Sequence, residues 1–324
     1  MSAAVVLAGG ELGKAASQFR DLSAYAASAR IRAHYLAMRT HQSLSFVRRM
    51  AAMYAPATFG ERPVTAAGAA ILAKTTDGLG RRLFTDAAVA AARSRGLRCS
   101  VRALFAVLQF FVDASDPDTE LPNFVHMLQT AERARAAGEP EWLVLTCLLH
   151  DIGKACFVFG SPEDGQEGTA AGAQWALGGD TFVVGCALPA TALFPEFNGA
   201  HPDAADAVLG SPLGVYAAGC GLDALQPCWG HDEYAYQWAI ANGARLPREA
   251  LACLRWHSCY PLHEGGEYTR FFAAGDAELV DAVRRFQKYD LYSKGDGVPD
   301  VEELWPYYQG LIDKFVPGGD DVKW

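Results

Sequence analysis

Apolar residues along this chain recur mostly at three- and four-residue intervals, so the pattern predicts helices rather than strands. The clearest helix spans about 122–137: Pro122 and Asn123 open it, and Gly138 and Pro140 close it. The next segment, EWLVLTCLLHDIGKACFVF from Glu141 to about Phe159, is apolar nearly all round and is expected as one helix in the centre of the core. Earlier helices are expected at about 22–53, 64–75, 86–95 and 101–112. Later ones are expected at 229–241, at 247–258 with Pro247 in the first turn, at 276–292, and at 301–315 with a break near Pro306. Only 181–186 (TFVVGC) reads as a strand, a short hairpin arm. Two stretches rich in Gly, Pro and acidic residues, 161–174 and 195–214, read as surface loops. No internal repeat and no clean linker divides the 324 residues, so one all-α domain over 1–324 is the expected architecture.

Composition narrows the function. With 51% hydrophobic residues the chain can bury a large core. A net charge of -9 and a pI near 5.4 argue against a nucleic-acid or anionic-membrane surface, since both need clustered Lys and Arg. The short basic run Arg93, Arg95, Arg98 is explained by a solvated helix end. Eight scattered cysteines contain no C-x-x-C pair, and several lie inside apolar runs, as reduced core thiols do. No stretch approaches the ~18 apolar residues of a membrane span. The first residues lack a charged leader and a myristoylation glycine, which makes the cytoplasm the expected location. A monomer is the expected state.

Candidate chemistry lies in a few histidines beside acids: His126 in NFVHMLQ, His150-Asp151 in LLHDIGK, His231 in WGHDEY, His257 in RWHSCY, and Asp290 in QKYDLYSK. Each short match has a plain alternative. The acids of WGHDEY suit the positive end of a helix dipole, and Asp151 can be satisfied by a nearby Lys or by backbone amides. His150-Asp151 is harder to dismiss, because it ends an apolar run where a carboxylate is costly unless paired or metal-bound. Lys154 lies four residues after His150 and Lys294 four residues after Asp290, each on the same helix face as its partner if the helix persists. Both can equally be plain surface pairs.

Taken together, these residues resemble a known family. The order His126, His150-Asp151, Asp290 resembles the metal signature of the HD-domain superfamily, helical proteins that are mostly phosphohydrolases. Longer stretches resemble one branch of it, the myo-inositol oxygenases: 113–132 (DASDPDTELPNFVHMLQTAE), 142–154, 179–186, 221–237, 255–265, 288–294 and 299–315, with FRDLSAY and THQSLSFV near the start. The resemblance implies an HD-domain-like helical core and six ligands, His126, His150, Asp151, His231, His257 and Asp290, holding two iron ions in a mixed-valent Fe(II)/Fe(III) state, with Asp151 as bridge. It implies substrate contacts at Asp113, Lys154, Gly179, Asp180, Ser258 and Lys294, and at Arg20 and Asp116, with Lys154 catalytic. The implied reaction opens myo-inositol between C1 and C6 with O2, giving D-glucuronate and water.

Simple chemistry agrees with that implication. Imidazole and carboxylate donors without thiolates suit iron, manganese or zinc, and one carboxylate can bridge two ions ~3.5–4 Å apart. Inositol has no acidic carbon and no good leaving group, so acid-base residues alone could not cleave it. The resemblance lapses at 56–100, an apparent inserted helical segment, and at 161–173 and 195–206. Leu262 and Val183 stand where the family has Trp and Pro. An HD-type metal-dependent phosphohydrolase is the alternative reading, and an inactive binding protein a further one.

Overall fold

The computed structural model describes residues 28–115, 122–168, 172–290 and 299–324. Helices dominate it, as the apolar spacing predicts. The first two, α1 (Ala29–His41) and α2 (Leu44–Met53), occupy the described part of the single helix expected at 22–53. The chain breaks at Gln42-Ser43 because Ser43 caps α2, accepting from the Phe46 amide. Gln42 meanwhile turns inward, bonding the Trp175 and Trp229 carbonyls and the Trp229 amide.

The 56–100 stretch contributes α3 (Ala66–Lys74) and α4 (Asp86–Arg95), capped by Thr65 and Thr85. It is stitched to the core: Thr65 bonds the Val158 carbonyl, and a side chain on Gly68 would lie 2.1 Å from that oxygen. A two-residue strand, β1 (Arg98–Cys99), then leads into α5 (Val101–Val107).

The centre is built by α6 (Asn123–Ala136) packed on α7 (Glu141–Leu149). Here the structure departs from the single helix expected at 141–159. The α-helix stops at Leu149, Asp151 adopts φ −95° and ψ 4°, and a 3-10 segment follows over Ile152–Val158. Tertiary packing accounts for the change. Gly153 presses on the backbone of His231 so closely that a Cβ would lie 2.1 Å from its carbonyl oxygen, and the tighter winding puts Lys154 beside Asp151, three residues back.

The second half supplies α8 (His231–Ala241), α9 (Arg248–Trp256), the short α10 (Tyr260–His263), α11 (Asp276–Asp290) and α12 (Val301–Phe315). Helix α11 packs on α9, and α8 on both α9 and the 3-10 segment. No break occurs at Pro306. It sits on the exposed face of α12, where it forfeits only the bond to the Glu302 carbonyl. The strand expected at 181–186 is also absent: Val183 makes one isolated antiparallel bridge to Pro227, and the ladder stops beside it because the Tyr216 hydroxyl takes the next rung, donating to the Val184 carbonyl and accepting from the Gln226 amide.

The chain ends in β2 (Val322–Lys323), antiparallel to β1, and Trp324 stacks on Trp238 of α8 with ring centroids 5.0 Å apart. The expected loops at 161–174 and 195–214 carry only short 3-10 turns among their described residues, yet Gln166, Gln174 and His201 are buried. Among the described residues no helix is long and apolar enough to cross a membrane.

Candidate metal centre

Five elements converge on one buried spot. His126 comes from α6, His150 and Asp151 from the break after α7, His231 from the first residue of α8, His257 from the residue after α9, and Asp290 from the last residue of α11. Placing donors at helix ends lets short side chains of different helices meet. Asp151 is at the middle. Its Oδ2 lies 3.4 Å from His150 Nε2 and 3.9 Å from His126 Nε2, while its Oδ1 lies 3.1 Å from His231 Nε2 and 3.9 Å from His257 Nε2.

The histidine tautomers follow from the ring nitrogens turned away from this spot. His150 Nδ1 lies 2.8 Å from the Cys147 carbonyl, His231 Nδ1 2.5 Å from that of Leu177, and His257 Nδ1 3.2 Å from those of Cys253 and Leu254. A carbonyl only accepts, so each Nδ1 carries a proton and Nε2 is the nitrogen turned inward, offering its lone pair where a cation takes the place of the second proton. The inward nitrogens lie close together: His126 Nε2 is 3.2 Å from His150 Nε2, and His231 Nε2 is 3.0 Å from His257 Nε2. Two unprotonated ring nitrogens at such a separation repel unless a cation lies between them. Two donors at about 2.1 Å from one ion and at right angles lie about 3.0 Å apart, so the spacing suits a shared metal.

Two pockets result. Asp290 Oδ1, 3.0 Å from His126 Nε2 and 3.3 Å from His150 Nε2, completes the first. Asp151, His231 and His257 form the second; the clusters His126–His150–Asp151 and Asp151–His231–His257 each have the residue types and proximity to hold a metal ion. The first is the more open, the side chains of His126 and Asp290 being 18% and 12% exposed against 3% for His231 and His257.

The electrostatics invite cations. Burial opposes charge on His150, but Asp151 and Asp290 outweigh it and push its pKa up to about 10. Burial likewise opposes charge on His231, and Asp232 and Asp151 push it up to about 9. Asp151 and Asp290 stay well below the usual carboxylate range despite burial, held there by Lys154 and His150 and by His150 and His126 respectively.

Lys154 is no surface residue. It is 7% exposed, and its Nζ donates to Asp151 Oδ2 at 2.8 Å and Asn123 Oδ1 at 3.2 Å and pairs with Asp113 Oδ2 at 2.8 Å. The plain alternative for Asp151, a nearby lysine, is thus half realised, but one ammonium leaves the four converging imidazoles unexplained. Asp113 Oδ1 accepts from the amide and hydroxyl of Ser115. Ser258 Oγ lies 3.3 Å from His231 Nε2. Gly179, at φ 93°, and Asp180 form a turn against α1: a Cβ on Gly179 would lie 2.9 Å from His34 Nε2, and Asp180 Oδ1 accepts from Tyr35 at 3.0 Å. Arg20, Asp116 and Lys294 lie outside the described residues. The remaining histidines bond elsewhere, His201 to the Gln42 carbonyl and His263 to that of His257.

Two side chains at the site were not singled out by sequence. Asn123 reads as a helix opener, and Asp232 as an acid at a helix start. Only the run HDE, with its acid next to a candidate ligand, offered a signal. Asp232 is fully buried, with Oδ1 2.9 Å from His231 Nε2.

A helical protein with a histidine-carboxylate pocket pair split by one shared aspartate is the class that fold and site define. The family model for myo-inositol oxygenase matches residues 89–324, and the chain belongs to that family of oxidoreductases. Inositol oxygenase of Sus scrofa is 44% identical over 223 residues, 68% of this chain and 75% of that protein. Its counterpart in Homo sapiens is 36% identical over 310 residues, 95% of this chain and 92% of that protein. A probable inositol oxygenase of Oryza sativa subsp. japonica is 42% identical over 219 residues, 67% of this chain and 68% of that protein.

Proposed function

We propose that this chain is a di-iron oxygenase that opens the ring of myo-inositol between C1 and C6, consuming one O2 and giving D-glucuronate and water. The observation that carries the reading is the Asp151 carboxylate, which turns one oxygen to His126 and His150 and the other to His231 and His257. His126, His150 and Asp290 would hold one iron, His231 and His257 the other, and Asp151 would bridge them. When bound as an Fe(II)/Fe(III) pair, the irons would supply the redox chemistry with O2 that a polyol requires.

The chain's own residues would bind and orient the substrate. Lys154 keeps its proton: burial alone would lower its pKa, but Asp113 and Asp151 raise it above its ordinary value. It therefore acts as a fixed cation that favours the deprotonated form of a substrate hydroxyl beside it, rather than as a base. Asp113, Asp180 and Ser258 would take the other hydroxyls. A site built for hydroxyl partners rejects analogues that lack them, because its buried polar groups are then left unpaired. Arg20, Asp116 and Lys294 complete the proposed substrate contacts, with 56–100 as a family-atypical inserted segment, on a monomer in the cytoplasm.

The test is iron content measured with inositol-dependent glucuronate formation and O2 uptake. About two irons per chain, the number a two-ion site needs, with one O2 consumed per glucuronate, is the expected result. Zinc or manganese with phosphate-ester hydrolysis would instead identify a phosphohydrolase, although Lys154, already flanked by Asp113 and Asp151, is poorly placed to receive a phosphate.

A further inference from the structure

We propose that Asn123 is a positioning residue that holds the third hydrogen of Lys154 until a substrate hydroxyl takes it, so that the substrate binds by displacing this one amide. The inference rests on the substrate reading above. An ammonium has three hydrogens and accepts none. In this structure all three are taken: Lys154 Nζ lies 2.8 Å from Asp151 Oδ2, 2.8 Å from Asp113 Oδ2 and 3.2 Å from Asn123 Oδ1. A substrate oxygen can bond to this buried nitrogen only if one of the three acceptors lets go.

Asn123 is the one built to yield. Hydrogen bonds between two ions are stronger than those to a neutral amide, and the amide contact is also the longest of the three. The carboxylates are anchored besides. Asp113 Oδ1 accepts from the amide and hydroxyl of Ser115, and Asp151 Oδ1 lies 3.1 Å from His231 Nε2. Asn123 has no such second hold. Because the ammonium only donates, Oδ1 must face it, and Nδ2 is left buried with no partner among the described residues.

Ordinary roles for Asn123 fit less well. It is the first residue of α6, yet its side chain caps none of the helix amides, and its own main-chain N–H goes to the Phe111 carbonyl at 3.3 Å. As packing, a buried amide with an empty donor is costly. It stands three positions before His126, on the same face of α6, which puts it beside the first pocket. There it keeps the lysine satisfied and aimed while the site is empty, and it competes with the substrate for the same hydrogen.

The experiment is calorimetric titration of myo-inositol into Fe(II)-loaded wild type, Asn123→Leu and Asn123→Ala under argon, where no turnover occurs. Damage to the site would weaken binding. Release of a competing acceptor strengthens it instead: Asn123→Leu, which also keeps water from the vacated hydrogen, is expected to bind about 10-fold more tightly, the worth of one unmade buried hydrogen bond. Asn123→Ala should gain less, since water can enter. The substrate-free variants should melt below wild type, and saturating myo-inositol should narrow that gap. On a Lys154→Met background the gain should disappear.

Folded variants that bind myo-inositol with wild-type or lower affinity would overturn the proposal, and would show that a carboxylate yields instead. So would a gain that persists without the lysine. Should Asn123→Leu fail to fold, Asn123→Ala decides by the same sign. Iron-loaded wild type that gives no heat with myo-inositol would overturn the substrate reading itself, before any variant is compared.

Discussion

Replacing Lys154 by Met keeps most of the apolar stem and deletes the charge. Two carboxylates, Asp113 Oδ2 and Asp151 Oδ2, each 2.8 Å from Nζ, then stay buried without their cation. Breaking a buried pair by removing one partner costs about 3–5 kcal/mol, whereas an exposed pair is worth about 1 kcal/mol or less. At about 2–4 °C per kcal/mol for a protein of a few hundred residues, the expected fall in Tm is roughly 6–20 °C. Urea and thermal unfolding of the metal-free protein measure it. The loss should shrink when metal is loaded, because Asp151 then has another cation. It should also shrink in the double variant Asp113→Asn/Lys154→Met, which leaves one stranded carboxylate instead of two. A single-variant loss below about 1 kcal/mol, with no coupling between the two positions, would refute the reasoning and reduce Lys154 to the status of a surface pair.

Three further outcomes are expected. Asp113 is held below the usual carboxylate range, chiefly by Lys154 against the opposing effect of burial, so its contribution is present above the unfolded pKa of about 3.9 and is lost as pH falls through the lower folded value. Lys154 is held above its ordinary value, so its contribution is present below about 10.4 and is lost only as pH rises beyond that. Acid unfolding of Asp113→Asn should accordingly show a shallower low-pH limb than wild type; superimposable curves would count against the pair. Asp151→Ala should separate the two irons, and a normal mixed-valent EPR signal in that variant would remove Asp151 as bridge. Gly153→Ala drives a methyl group into the His231 carbonyl, 2.1 Å away. It should destabilise by about 1–3 kcal/mol, the usual cost of overpacking, and weaken metal uptake in the second pocket; an unchanged Tm and metal count would show that the backbone can shift aside.

Local signals carried much of the fold. Thr65, Thr85 and Ser100 sit at real helix starts, each accepting from an amide three residues on, and Pro247 opens α9. Two of the misses share a cause, a contact distant in sequence. The helix through 141–159 breaks because Gly153 meets His231, and the expected strand at 181–186 stops after one bridge because the Tyr216 hydroxyl occupies its next rung. The six candidate ligands were legible through the family resemblance, which the sequence carries in long motifs. Asp232 was not, since adjacency to His231 reads equally well as helix-start chemistry until the fold shows its side chain turned inward.

The close approach of Gly153 to His231 also bears on redesign. The separation of the two pockets is set where main chain meets main chain, next to Asp151, and not by side chains that can be trimmed or lengthened. Exchanging imidazoles and carboxylates can retune which ions are held and how strongly. The gap between the two pockets behaves like the fixed jaw of a calliper, and changing it would require moving α8 bodily against the 3-10 segment.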